Sequence, residues 1–265
     1  MSEKKIIDQL GRVVTIKHQP SRVVSLVPSQ TELLHDLGLD ETIVGITKFC
    51  CHPAEWKFKK TSVGGTKAVD IEKIRLLQPD LIIGNKEENT LEDIAQLESI
   101  APVWISDVST IDDALSLIVD LGELLGKQAN ANQLVQEIIT AFDQLVKIES
   151  PLRVAYFIWH SPDFIAGKAT FIDSMLTTCG FENVSKETRY PAWNDQFEIP
   201  ELVLLSSEPF PFKEKHVNHF QEKFPSAKIN FVDGEYFSWY GSRLRNAPRY
   251  FQILIDSTME QIKLS

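Results

Sequence analysis

Short apolar runs alternate with amphipathic helical stretches along most of this chain, and that alternation limits the fold more than any other feature. Arg22 to Val27 is an apolar run ending at Pro28, the pattern of a buried strand. Ser29-Gln30-Thr31-Glu32 follows; a Ser three residues ahead of a Glu reads as a capping box and predicts a helix through Leu33, Leu34 and Leu37, stopped at Gly38. Thr42 to Thr47 reads as the next strand, and it leads into the loop Lys48-Phe49-Cys50-Cys51-His52-Pro53. Asp70 is placed to cap a helix over Ile71, Ile74 and Leu77, before a strand at Leu81-Ile82-Ile83. Thr90 with Asp93 opens another helix, and Val103-Trp104-Ile105 another strand. Strands that alternate with helices predict parallel sheets covered on both faces.

Thr110 and Asp113 open a helix to about Gly126. A second helical run carries Leu134, Ile138, Phe142, Leu145 and Ile148 at spacings of three and four, up to Pro151; at ~1.5 Å per residue it would be roughly 30 Å long, enough to join two domains. The second half repeats the outline of the first. A strand at Val154 to Trp159 precedes a helix from Thr170 to Cys179 stopped by Gly180, and Pro200-Glu201-Leu202-Val203-Leu204-Leu205 echoes Pro79-Asp80-Leu81-Ile82-Ile83. The expected architecture is α/β, with two Rossmann-like three-layer (αβα) lobes of mainly parallel strands, residues 1–125 and 151–265, bridged by one long helix over 126–150. A single-sheet α/β protein is the alternative.

Composition removes several function classes. No stretch of the 265 residues approaches the ~20 apolar residues of a membrane span. A net charge of -10 without a basic run argues against a nucleic-acid partner. Cys50 and Cys51 are adjacent and only Cys179 remains, which is no disulfide framework. The first ten residues carry no apolar leader core; read as a full-length chain, the protein would be cytoplasmic. The sequence has no G-x-S-x-G, no phosphate-loop motif, no G-x-G-x-x-G and no H-E-x-x-H, and Gly64-Gly65-Thr66-Lys67 reads as a turn. Nothing points to catalysis.

Several ordered motifs carry a family resemblance. Arg22-Val23-Val24-Ser25-Leu26-Val27-Pro28-Ser29-Gln30-Thr31-Glu32-Leu33-Leu34, Val44-Gly45-Ile46-Thr47, Val63-Gly64-Gly65, Glu72-Lys73-Ile74 and Leu77-Gln78-Pro79-Asp80-Leu81-Ile82 resemble, in order and spacing, the helical-backbone (class III) periplasmic substrate-binding proteins of ABC importers. Within that family the chain looks closest to the cobalamin-binding and iron-siderophore-binding proteins. Ala166-Gly167-Lys168 and Gly180-Phe181-Glu182-Asn183-Val184 extend the likeness over the second half. The resemblance implies a periplasmic monomer that holds a metal chelate in the cleft between its lobes: cobalamin or another corrinoid first, then a siderophore or haem, as ligand and not as intrinsic cofactor. It places the ring-bearing loop of the first lobe at Phe49, those of the second at Phe164 and Trp193, and the Arg after the last strand at Arg243. It also implies an ABC permease as partner, docked through a Glu on each lobe. The first falls on Glu72; for the second only Asn194 to Ile199 lie between Trp193 and Pro200, too few for the usual helix.

The residues themselves add Ser29, Trp159, His160, Tyr190, Trp239 and Tyr240, which fall at strand ends or in loops, where binding residues concentrate. Each ring is open to two readings, core packing or ligand contact. Arg243 would grip a carboxylate, amide or phosphate edge, or form a surface ion pair. His52 and His160 would meet the metal of a bound chelate or be ordinary satisfied histidines; no C-x-x-C and no paired His marks a structural zinc site. Glu208-Pro209-Phe210-Pro211-Phe212 reads as a rigid loop, and Lys213 to His219 as a solvated helix face. The competing functional class is a cytosolic enzyme or chaperone acting on a tetrapyrrole or corrinoid cofactor.

Overall fold

The apolar runs become one parallel and one mainly parallel sheet, each in its own unit. The computed structural model describes residues 3–263, and its contacts divide the chain into one compact unit comprising the residues up to Val108, Asp112–Glu137 and Tyr240–Arg243, and a second comprising Ser109–Ile111, Ile138–Trp239 and the residues from Leu244 onward.

The first unit opens with an antiparallel hairpin, β1 (Lys4–Ile7) and β2 (Val13–Ile16). The buried Asp8 carboxylate accepts the backbone N–H groups of Leu10 and Arg12 and pairs with the Arg12 guanidinium at 2.7 Å. The sequence reading had no element here. Next come β3 (Val23–Ser25), α1 (Pro28–Asp36), β4 (Ile43–Ile46), α2 (Trp56–Lys59) and β5 (Thr61–Ser62), followed by the short hairpin β6 (Gly64–Gly65) and β7 (Ala68–Val69), which turns at Thr66-Lys67. Then follow α3 (Ile71–Leu77), β8 (Leu81–Asn85), α4 (Leu91–Leu97), β9 (Val103–Ser106), α5 (Ile111–Leu124) and α6 (Gln128–Asp143). The sheet runs β5-β4-β3-β8-β9, all parallel. Val24, Leu26, Ile74, Ile82, Ile94, Leu97 and Val103 form a core on it.

The second unit is built from β10 (Arg153–Trp159), β11 (Phe164–Ile165), α7 (Phe171–Cys179), β12 (Glu182–Asn183), β13 (Leu202–Ser206), α8 (Val217–Lys223), β14 (Lys228–Val232), α9 (Glu235–Ser238) and α10 (Ala247–Lys263). β10, β13 and β14 are parallel neighbours, β11 pairs antiparallel with the end of β10, and β12 pairs parallel with its start. Phe157, Val203, Leu205, Phe220 and Phe224 lie in its core.

Most expected helix boundaries follow from their caps. Asp70, Thr90 and Thr170 each accept the N–H three residues on, and Gly180, at φ 88°, stops α7. Three expectations are corrected. Ser29 does not cap α1: Pro28 starts the helix one residue earlier, Val27 is the N-cap without a side-chain bond, and Glu32 turns to Arg243 instead of the helix end. The second helical run stops at Asp143 and not at Pro151, because the chain beyond it is held elsewhere: Val146 N–H donates to the Gln252 side chain and Ile148 N–H to the Cys179 carbonyl. Lys213 to His219 is not simply a solvated face, since His216 is buried against Phe210 and Phe212.

Thr170→Ala removes the α7 cap and is expected to lower stability by about 1 kcal/mol. Urea denaturation checks this; a change of only a few tenths would show that the cap hydrogen bond contributes little.

Candidate ligand-binding residues at the strand ends

In the first unit the chain moves outward from β3 to β4 and β5, then returns to place β8 and β9 on the other side of β3. The carboxyl ends of β3 and β8 therefore flank the point where strand order reverses, the place at which open α/β sheets hold ligands. Polar side chains gather there, where the pleated core leaves off. Gln30 donates its amide to Ser106 Oγ, and Asn85 donates to the same oxygen at 2.9 Å. Asn89 accepts the Asn85 N–H at 2.8 Å and donates to the Thr66 carbonyl at 2.8 Å. Tyr240 hydrogen-bonds the side chains of Ser29 and Ser106; burial, with the nearby charges of Glu88 and Glu87, pushes its pKa well up, so the ring keeps its phenol proton. Gln30 Oε1 and Ser242 Oγ are buried without a hydrogen-bond partner among the described residues. Asp93 Oδ2 on α4 is the third such atom among the described residues; each costs about 1–3 kcal/mol in lost hydration.

The segment Tyr240–Arg243 is clamped to α1. Arg243 donates from Nε to Glu32 Oε2 at 3.1 Å and from Nη2 to Oε1 at 2.8 Å, with both side chains mostly buried. Burial raises the Glu32 pKa and the Arg243 charge only partly offsets it. Gly241 has φ 148°, and a Cβ on it would lie 3.2 Å from the Ser29 carbonyl oxygen, so glycine lets this segment lie close on the helix. Phe49, 53% exposed, carries the Lys48 ammonium 5.0 Å from its ring centre. His52 lies near Glu32. Glu72, in the first turn of α3, is exposed and 3.6 Å from Arg75.

In the second unit the ends of β10 and β13 carry the rings. Trp159, 43% exposed, stands opposite Phe164 in the strand register and meets Phe210 edge-on at 5.6 Å. Tyr190 is 38% exposed. Trp193 turns inward, 4.8 Å from Phe224 and 5.7 Å from Phe157, under the Lys223 ammonium. Trp239 is buried, and its indole N–H donates to Glu208 at 3.0 Å; the Ser238 hydroxyl donates to the same oxygen. His160 follows β10 directly and bonds Asp163. No helix forms over 194–199; Gln196 N–H donates to the Asn194 side chain in a turn.

The structure thus groups Ser29, Tyr240 and Arg243 in the first unit, and Trp159 with Phe164 in the second. Trp193 and Trp239 stand in packed surroundings. Gln30, Asn85, Ser106 and Glu208 were not expected. Gln30 was hidden inside a motif read as a cap, and the other three follow apolar strands as the first polar residue or soon after, a position that marks a strand end once the strand is placed.

The architecture, with parallel α/β units and polar groups and rings collected at carboxyl strand ends, is that of a binding protein. The chain belongs to the periplasmic binding protein family, whose profile matches residues 23–202. Members are substrate-binding proteins and not enzymes, and they hold ligands without a resident cofactor. Among its relatives, an uncharacterized ABC transporter substrate-binding lipoprotein, YvrC, of Bacillus subtilis is 30% identical over 193 residues, 69% of this chain and 61% of that protein's length. A vitamin B12-binding protein of Pectobacterium atrosepticum is 26% identical over 262 residues, 93% of this chain and 91% of the relative. The solved structure of the periplasmic vitamin B12 binding protein BtuF of Vibrio cholerae shares the fold at a TM-score of 0.72 and 18% identity, covering 91% of this chain and 98% of that one. Among the described residues no helix is long and apolar enough to cross a membrane.

Arg243→Met should destabilise the protein by roughly 3 kcal/mol by leaving the Glu32 carboxylate buried and unpaired, and Glu32→Gln in the same chain should restore most of that loss. Urea denaturation of the two single variants and the double variant at pH 7 is the check. Simple additivity would contradict the pairing.

Proposed function

We propose that the chain binds a metal-chelate small molecule, a corrinoid such as cobalamin before a siderophore or haem, as the substrate-binding component of an ABC-type importer. The observation that carries this reading is the set of exposed rings at carboxyl strand ends, Phe49 in the first unit and Trp159 in the second. Large planar rings held on rigid elements offer apolar area to a macrocycle at little entropic cost. The polar groups around Gln30, Ser29 and Tyr240 would orient the ligand's amide or carboxylate edges. The vitamin B12-binding relative that aligns over nearly the whole chain favours a corrinoid. Exposed Glu72 is the contact offered to a permease, through a basic group on that partner.

Isothermal titration with cobalamin, haem and a ferric siderophore tests the reading. One of the three should bind with one-to-one stoichiometry, and Trp159→Ala and Phe49→Ala should each weaken it about tenfold or more. No binding by any of them at several hundred micromolar, or binding indifferent to both substitutions, would overturn it.

A further inference from the structure

The loop after β10 and the helix α8 bring His219 up to His160 and Asp163, which lie more than fifty positions before it in the sequence. His160 Nδ1 lies 2.8 Å from Asp163 Oδ1, and His219 Nε2 lies 3.1 Å from Asp163 Oδ2. The two imidazole rings are 4.8 Å apart, centre to centre. One ligand atom from each of His160, Asp163 and His219 lies within 4.8 Å of the other two. From these positions we infer that the second unit holds a divalent transition-metal ion directly, through His160, Asp163 and His219.

The donor set decides the class of ion. Two imidazoles and one carboxylate suit zinc, cobalt or nickel and are a poor match for calcium or magnesium, which take oxygen ligands. Three protein ligands leave a fourth position for water, the open arrangement of a tetrahedral ion. Metal–ligand bonds of about 2.0–2.1 Å place neighbouring donors roughly 3.4 Å apart. The side chain of His219 is nearly half exposed, so solvent and not packing surrounds much of that ligand. Asp163 is better fixed. Its side chain is 9% exposed, and Lys223 donates to Oδ2 at 2.6 Å. An ion would take the place of the imidazole contacts that His160 now makes to Oδ1 and His219 to Oδ2. Phe210, Phe212 and Phe220 stand around His160 with ring centres 6.1–6.5 Å away, an apolar wall that fixes the imidazole and limits water.

The intact chain, stripped with a chelator and free of any tetrapyrrole or siderophore, is titrated with zinc and with cobalt. One equivalent should bind, and cobalt should give visible d–d absorption. His219→Ala, an exposed position that leaves folding intact by circular dichroism, and His160→Gln should each weaken zinc binding by at least about tenfold. Cys51→Ser and His18→Ala should leave it unchanged. The site is refuted if less than one equivalent binds at about 100 μM metal, if affinity survives His219→Ala, or if it is lost in Cys51→Ser. Because no chelate is present, this outcome is independent of the titrations that test the proposed function.

Discussion

Parallel strands buried on both faces are the constraint from which the rest of this structure follows. Each such strand is reached by a crossover, so its two faces are covered and polar side chains are left to its ends. Val23, Leu81, Ile82 and Ile83 in one sheet, and Leu202 to Leu205 in the other, are completely buried. Polar chemistry has no place along them. It collects at the carboxyl ends, where Asn85, Ser106 and Ser206 are each the last residue of their strand. The loops that follow carry Gln30, His160 and Glu208. A chain folded this way presents side chains for binding at those edges and keeps the sheets themselves inert.

The stretch Ser238–Arg243 shows how tightly such an edge is specified. Its first two residues are tied to Glu208 by a hydroxyl and an indole N–H, and its last four lie on α1, through the Tyr240 hydroxyl and the Glu32–Arg243 pair. These groups are largely buried, so each hydrogen bond matters less for what it adds than for the penalty its loss would leave. Gly241 permits the close passage over Ser29. Local sequence chemistry and long-range packing meet in one short segment, and the orphaned Gln30 and Ser242 oxygens lie in the same unit.

Much of this was legible in the sequence because it depended on local signals. Asp70, Thr90 and Thr170 mark helix starts by their own hydrogen bonds, and continuous apolar runs mark buried strands. Pairings across long separations left weaker traces. Glu32 fitted a capping box in sequence and forms a bidentate ion pair in space, since Pro28 moved the helix start and a residue 211 positions away supplied a stronger partner. Likewise, a search for paired histidines in sequence finds nothing, while the fold sets His160 beside His219. The N-terminal hairpin was hidden for another reason: its strands are four residues each, β1 is mostly exposed and only Val14 and Ile16 of β2 are buried, while the turn between them is held by the buried Asp8 carboxylate and Arg12. Among the rings, exposure separates candidates that residue type could not, with Trp159 and Phe49 outward and Trp193 and Trp239 packed.

Hydrogen–deuterium exchange with and without cobalamin tests the central claim most directly, because it reports where binding occurs. If ligand is held at the carboxyl strand ends, amides in the loops after β3, β4 and β8 and in those after β10 and β13 should gain protection on adding cobalamin. Protection confined to the opposite ends of the strands, or an exchange pattern unchanged at saturating cobalamin, would contradict the account.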